Sequence, residues 1–548
     1  MTAGLSRLRL PAWKAALLSA IVAAQTCTMQ ACAQAVAEQA GASIYRDGIL
    51  PSGQPLTARR EPDMQISAAD AACSNCHRRS GFGDIEGRIG IPPVTGAYLF
   101  APREPERDTR RLPAVGALHS ARDAYTDDTL ARAIREGVAA DGHQLNYLMP
   151  HYALSDADMA TLIEYLRVMT PAKSPGADTV LHFATIVTPD ADPVQRRGML
   201  DVLEHFFADK SAAALSHGPD PRFSHDTLIK TNRRWQLHVW ELNGAPTRWE
   251  EQLRTRLMHE PVLAVISGLG GTTWAPIHRF CEQAALPCLF PNVDLPVVAE
   301  HDYYSLYFSR GVLLEADLIA RRVMDEREPP ARRIVQIFRQ GDIGQAAAAA
   351  LSAAATGALV LDRPLGVGNV KRQLASALRG VNAGDMLVLW LRPSDLTALA
   401  SLPAVKSKLF ISGLMGGLGS APVAASWRSV TTMTYPFDLP DNRVIRTDYP
   451  LGWFRIKQIT VVDERVQTDT WLACNFLSET LDHIGNTLVR DYLVDTLEGM
   501  LDHRLLTGYY PRLSLAPNQR FASKGGYLVK FTELGGKRLT AVSDWIVP

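Results

Sequence analysis

The sequence predicts a multidomain chain in which a small helical unit precedes a larger, bilobed α/β unit built on parallel sheets. Three observations carry that expectation. A length of 548 residues exceeds one ordinary domain. The stretch TPAKSPGAD (170–178), rich in proline and small residues, reads as a linker. Beyond it, strand-like apolar runs alternate with helix-like ones, the order that covers parallel sheets with helices. The expected boundaries are a leader over 1–33, a first domain over 41–170, a linker over 171–177 and a second domain over 178–548.

The leader comes first. Arg7, Arg9 and Lys14 form a positive start, AALLSAIVAA (15–24) a short apolar core, and QACAQAVA (30–37) small residues at A-x-A spacing. This reads as a secretory signal peptide cleaved after Ala33 or Ala35, and hence as a periplasmic protein. The apolar run is too short to cross a bilayer, and no other segment of the chain is a membrane span. Cys27 or Cys32 could alternatively carry a lipid anchor, although neither follows a Leu-Ala-Gly type of sequence.

Composition narrows the partners. Hydrophobic content of 47% and charged content of 21% are those of a soluble globular protein. The 57 basic and 57 acidic residues cancel, so nothing points to nucleic acid or to a strongly anionic membrane.

In the first domain the decisive stretch is AACSNCHRRSG (71–81). Cys73 and Cys76, spaced by two residues and followed by His77, suit the addition of two thiols across haem vinyl groups with an imidazole under the iron. A zinc ribbon would need a second pair, yet the next cysteine is Cys281 and no other C-x-x-C occurs. A thioredoxin-type dithiol would follow a strand in a βαβ pattern, which is not evident here. The cofactor expected is therefore a single, covalent haem c. Arg78 and Arg79 read as a solvated face or as a basic rim that steers an acidic partner.

A glycine- and proline-rich loop, SGFGDIEGRIGIPPVTGAYLF (80–100), follows. YTDDTLARAIREGVAADG (125–142) then reads as a capped amphipathic helix ending at glycine. Ser155 and Asp158 form an S-x-x-D cap before a helix whose apolar residues recur at helical spacing.

Together, CSNCH, the Ile91–Pro93 loop, AIREGV and MPHYALSDADMATLIEYL resemble a class I cytochrome c domain over about 41–170, which implies a small all-α fold. In that family the methionine of the Met-Pro pair is the sixth iron ligand, which falls on Met149. The thioether cysteines fall on Cys73 and Cys76, and the proximal ligand on His77. His143 and His151 flank Met149 as alternative ligands. A His/Met pair favours the ferrous state and closes the sixth position, so the resemblance implies electron transfer rather than enzymatic oxygen chemistry.

In the second domain VLHFATIV (180–187), WQLHVWEL (235–242), VLAVISG (262–268), RIVQIF (333–338), ALVL (358–361), MLVLWL (386–391) and KLFIS (408–412) read as strands. Helices are expected near 194–209, 247–258 and 312–325, and the alanine-rich run 345–361 as a helix turning at Gly357 into a strand. The span is too long for one sheet and predicts two lobes.

The order of elements, with VLAVISGLGGTTWAPI, RRIVQIFRQGDIGQ and the closing LSLAPNQRFASKGGYLVKF…DWIVP, resembles a type I periplasmic solute-binding protein of the branched-chain amino acid and amide kind. The resemblance implies a bilobed α/β domain with a small-molecule ligand, an amino acid or amide. Backbone N–H groups in the loop 267–273, with the hydroxyls of Thr272 and Thr273, could hold that ligand's carboxylate. Equally, Thr272 or Thr273 could cap the following helix. Tyr435 and Asp438 are second-lobe candidates that also suit a turn.

Cys281 and Cys288, in CEQAALPC, are expected to form a disulfide in an oxidising compartment, or else to be two separately buried thiols. Cys474 would be the odd buried thiol. The preferred function is single-electron transfer with a periplasmic redox partner such as a dehydrogenase, the bilobed domain sensing a small molecule or docking the partner. The alternative is a solute receptor for an amino-acid or amide uptake system with an accessory haem domain. No catalytic set stands out, so an enzyme is not expected.

Overall fold

The structure, a computed structural model, describes residues 38–60, 63–102, 122–169, 180–216, 233–299, 302–324, 333–516, 519–533 and 535–548. The leader (1–33) and the linker (171–177) lie outside these residues. The chain divides into two compact units, Met1–Ala172 and Lys173–Pro548.

Among the described residues, the first unit has three helices of ten or more residues: α1 over residues 38–47, α2 over Asp127–Glu136 and α3 over Asp156–Val168. Thr126 caps α2 by accepting from Thr129 N, and Gly137 ends it in the left-handed conformation that glycine tolerates. Ser155 caps α3 by accepting from Asp158 N, as the S-x-x-D pattern requires. Where α1 meets α3, a Cβ on Gly41 would lie 2.3 Å from the Cβ of Tyr165, so only glycine permits that approach. Ile44, Tyr45, Leu130, Ile134, Leu162 and Leu166 fill the core between them.

The expected all-α unit also carries two small antiparallel sheets. One has the order β2 (Met64–Ser67), β1 (Thr57–Arg60), β5 (His151–Tyr152), and the other is the hairpin β3 (Asp84–Glu86) and β4 (Ile89–Ile91). Strands of two to four residues are too short to imprint a period on the sequence.

The second unit has two lobes. In the first, β6 (Val180–Val187) is flanked by β7 (Arg234–Glu241) and β8 (Ala264–Ile266), and β9 (Cys288–Leu289) and β10 (Ser305–Leu306) complete an all-parallel sheet. Its helices include α4 (Pro193–Ser216), α5 (Trp249–His259) and α6 (Ala275–Gln283).

In the second lobe, α7 (Val312–Val323) and α8 (Ile343–Ala354) accompany parallel β11 (Ile334–Arg339), β12 (Val360–Leu365), β13 (Met386–Trp390), β14 (Lys408–Ile411) and β15 (Thr431–Tyr435). β16 (Tyr527–Phe531) and β17 (Leu539–Ala541) then extend that sheet antiparallel, the hairpin making a parallel crossover unnecessary.

After α9 (Pro440–Lys457) the chain returns to the first lobe as α10 (Glu464–Ile484) and α11 (Arg490–Leu501). Ser267 Oγ donates to Thr470 Oγ1 at 2.9 Å, and Arg490 Nη2 to the Val262 carbonyl at 2.6 Å. The fully buried polar residues Gln467, Thr468 and Thr470 on α10 are explained in part by such bonds, Gln467 Oε1 accepting from Val462 N at 2.7 Å.

Candidate functional sites: an apolar cavity and an interlobe cleft

In the first unit Cys76 and His77 lie in a four-residue helical turn, Ser74–His77, with Cys73 at its N-cap, and all three line a cavity of about 300 Å³. Its walls are largely apolar, with Ile91, Leu99, Leu130, Ile134, Leu162 and Leu166 among them. His77 is buried, and its Nδ1 lies 2.9 Å from the Pro92 carbonyl oxygen. A carbonyl can only accept, so Nδ1 carries the proton and Nε2 keeps a lone pair to offer. Burial holds His77 below the ordinary imidazole range, against the upward pull of that carbonyl, which keeps the ring neutral and able to ligate.

The thiols have distinct surroundings. Burial pushes Cys73 up to about 12, while a hydrogen bond with Tyr152 acts against it. Burial also raises Cys76, against the pull of Arg60, whose Nη2 donates to its sulfur at 3.6 Å.

Met149 lines the same cavity and is half-buried against the core. Its backbone N donates to the Asn146 carbonyl at 2.9 Å, and after Pro150 the chain enters β5, whose residues pair with Ala58 and Arg59. His143 also lines the cavity, but its Nδ1 pairs with Asp141. His151 pairs with Arg59 in the sheet and is absent from the cavity wall. A wall of apolar side chains with two thiols, one tautomer-fixed imidazole and one thioether fits a covalent haem held by Cys73, Cys76, His77 and Met149. The roles of Pro92, Tyr152 and Arg60 were not legible in the sequence, since each reaches the motif from a distant segment.

In the second unit an open cleft of about 1220 Å³ is lined by residues of both lobes, including Thr272 and Asp294 from one and Arg339, Arg392 and Tyr435 from the other. The loop 267–273 is not free to hold a ligand carboxylate, because this chain's own carboxylate is there. Thr272 donates to Asp190 Oδ2 through both its N–H and its hydroxyl. Gly271 N donates to Thr188 Oγ1, whose hydroxyl donates to Asp190 Oδ1 at 2.6 Å. Burial pushes Asp190 up, but these donors outweigh it and hold the carboxyl below its usual range.

Thr273 is outside the cleft lining, and its hydroxyl accepts from Ala275 N at 3.3 Å, while Trp274 stands at the N-cap of α6 with no side-chain cap bond. Tyr435 lines the cleft, and its hydroxyl accepts from Arg443 Nη1 at 2.8 Å. Asp438 is absent from the lining; it accepts from Leu439 N and Asn442 and pairs with Arg446, as the turn reading has it.

At its inner end the cleft continues into a small pocket that shares Asp294, Leu414 and Arg465 with it and adds Phe308, Phe437, Asp469 and Tyr510. Neither Asp190 nor Asp469 was singled out from the sequence. The only local hint was the acidic TPDADP segment directly after β6.

Cys281 on α6 and Cys288 on β9 are two buried free thiols within hydrogen-bond contact of each other, and Cys474 is buried in α10. Among the described residues, no helix is long and apolar enough to cross a membrane.

Residues 66–170 match the family model for cytochrome c. Among solved structures, a fatty acid ABC transporter substrate-binding protein from Thermomonospora curvata superposes with a TM-score of 0.50 at 14% identity, covering 69% of this chain and 95% of that one. A substrate-binding periplasmic protein from Ralstonia solanacearum does so with a TM-score of 0.50 at 13% identity, covering 66% and 99%. No curated protein sequence matches the chain. A cytochrome c domain model thus matches residues 66–170, and the unit that follows shares the fold of these two substrate-binding proteins.

Proposed function

We propose that this protein is a periplasmic electron-transfer cytochrome whose bilobed unit senses a small molecule or docks the redox partner. The observation that carries the reading is the meeting of Cys73, Cys76, His77 and Met149 on one apolar cavity wall. A haem bound there supplies one-electron carriage. The chain's own part is to hold it: two thiols for attachment, the His77 ring fixed by the Pro92 carbonyl, and Met149 on a loop tied into the sheet. The apolar wall keeps water away and disfavours added charge. With His77 and Met149 both placed to hold its iron, a haem there would suit outer-sphere transfer and not enzymatic turnover on a bound substrate. A periplasmic dehydrogenase is the partner class we favour as donor.

The second reading, a solute receptor for an uptake system, draws on the cleft, whose walls come from both lobes. Two measurements separate the readings. Reduction by a partner dehydrogenase should be slower for residues 41–170 alone than for the full chain, with the reduction potential unchanged. Tight binding of an amino acid or amide together with equal reduction rates would overturn the electron-transfer reading in favour of the receptor.

A further inference from the structure

The inner pocket of the cleft contains a group that the fold leaves unsatisfied. Asp469, on α10, is 1% exposed. Its Oδ2 accepts from the Tyr510 hydroxyl at 3.2 Å, but among the described residues no donor reaches Oδ1. A buried acceptor without a donor costs about 1–3 kcal/mol, so such an atom calls for a partner from outside the chain. Arg465 does not supply it. Its guanidinium is 3.1 Å from Asp294 and 4.0 Å from Asp469, on the Oδ2 side.

The ionisable groups that line this pocket are two carboxyls, Asp294 and Asp469, and the single guanidinium of Arg465. The remaining walls are rich in aromatic rings, Phe308, Phe437 and Tyr510, whose faces attract cations. Burial pushes the Asp469 carboxyl up to about 7 against the pull of Arg465, so a cation arriving there would meet a group ready to ionise. The outer loop adds an independent constraint. The donors of Gly271 and Thr272, suited to a ligand carboxylate, are already engaged with Thr188 and Asp190.

Building on the reading of the cleft as a small-molecule site, we propose that it takes a primary amine lacking an adjacent carboxylate, its ammonium donating to Asp469 Oδ1 and packing against the aromatic wall. The pocket beside Asp469 has room for a group of about water size, with about 20 Å³ free, which suits a bare ammonium. The rest of the ligand would extend into the open cleft.

The test is calorimetry of the full chain against butylamine, phenethylamine, 1-butanol, valerate and norvaline. Either amine should bind at least about tenfold more tightly than 1-butanol, valerate or norvaline, a difference of about 1.4 kcal/mol. Asp469→Asn should weaken the amine by about tenfold or more while circular dichroism stays unchanged. The ranking on the native chain decides the matter should that variant misfold. Butanol binding as well as the amine would overturn the ammonium assignment, and norvaline or valerate binding as tightly would overturn the exclusion of carboxylates. Both results would leave a small-molecule cleft intact. Full amine affinity in a folded Asp469→Asn chain would remove Asp469 from the site. Binding by no member of the panel would refute the amine proposal and withdraw support from the cleft reading as well.

Discussion

Thr272 donates twice to one oxygen of Asp190, through its backbone N–H and through its hydroxyl, each at 2.7 Å. The two residues stand 82 positions apart in the chain, yet together they close the loop that the sequence offers to a ligand carboxylate. Gly271 belongs to the same arrangement, since a Cβ there would lie 2.4 Å from the Asp190 carboxyl carbon. Gly271 thus makes room for an internal carboxylate, while Gly268 and Gly270 lie against the Trp274 ring.

Removing that carboxylate should reopen the loop. Asp190→Ala is expected to bind valerate or norvaline more tightly than the native chain does, by about tenfold or more, because the freed N–H and hydroxyl regain an anion to hold. Titration calorimetry of both proteins checks this. Unchanged affinity would mean that the loop has no anion-binding capacity of its own.

Met149→Ala should abolish the weak far-red sulfur-to-iron absorption of the oxidised protein while covalent haem remains attached through Cys73 and Cys76. Survival of the band would move the sixth ligand to another residue. His143 is the first candidate, as it also lines the cavity.

Cys281 and Cys288 adjoin in the first lobe, where burial pushes Cys281 well above the ordinary thiol range. Protein isolated from an oxidising compartment is expected to carry them as a disulfide. Thiol labelling after denaturation without reductant should then modify one cysteine among Cys281, Cys288 and Cys474. Labelling of all three would show that the pair stays reduced.

Glu315 gives the second lobe a pH dependence. It is fully buried on α7 and accepts from Ser412 Oγ, Gly413 N, Leu414 N and Thr434 Oγ1. Burial nevertheless pushes its carboxyl up to about 7 from an ordinary value of 4.5. The folded state then binds the proton more tightly than the unfolded chain does. That contribution to stability is complete below the ordinary value and is lost as pH rises through about 7, at most about 3 kcal/mol. Glu315→Gln removes the titration. Its urea midpoint should improve relative to the native protein between about pH 5 and about pH 8. A constant gap between the two would show that Glu315 stays ionised throughout.

What the sequence showed and what it concealed divide along physical lines. CSNCH is legible because its chemistry is local, with three groups within five residues. β13 is legible because a strand buried on both faces writes an unbroken apolar run, MLVLW, and β6 because its run VLHFATIV is interrupted only by His182 and Thr185. β9 and β10, two residues each, leave no period to detect. The polar stretch Gln467–Thr470 looks like a solvated face, yet it is buried, with partners that include Ser267 and Val462 from distant or preceding segments. Asp190 and Asp469 were missed for the same reason: their meaning comes from residues that only the fold brings near.

The return of α10 and α11 to the first lobe also sets the order in which the protein can be made. Every strand of the five-stranded sheet has been synthesised by Leu306, but Ser267 meets Thr470 only 203 positions later, and Val262 meets Arg490 228 positions later. A nascent chain ending at α9 would hold the complete sheet with one of its faces covered by α4 but not yet by α10, and contacts this remote in sequence form slowly. The first lobe therefore matures after much of the second has been translated, and truncation between the lobes should give insoluble polypeptide instead of a half-size domain.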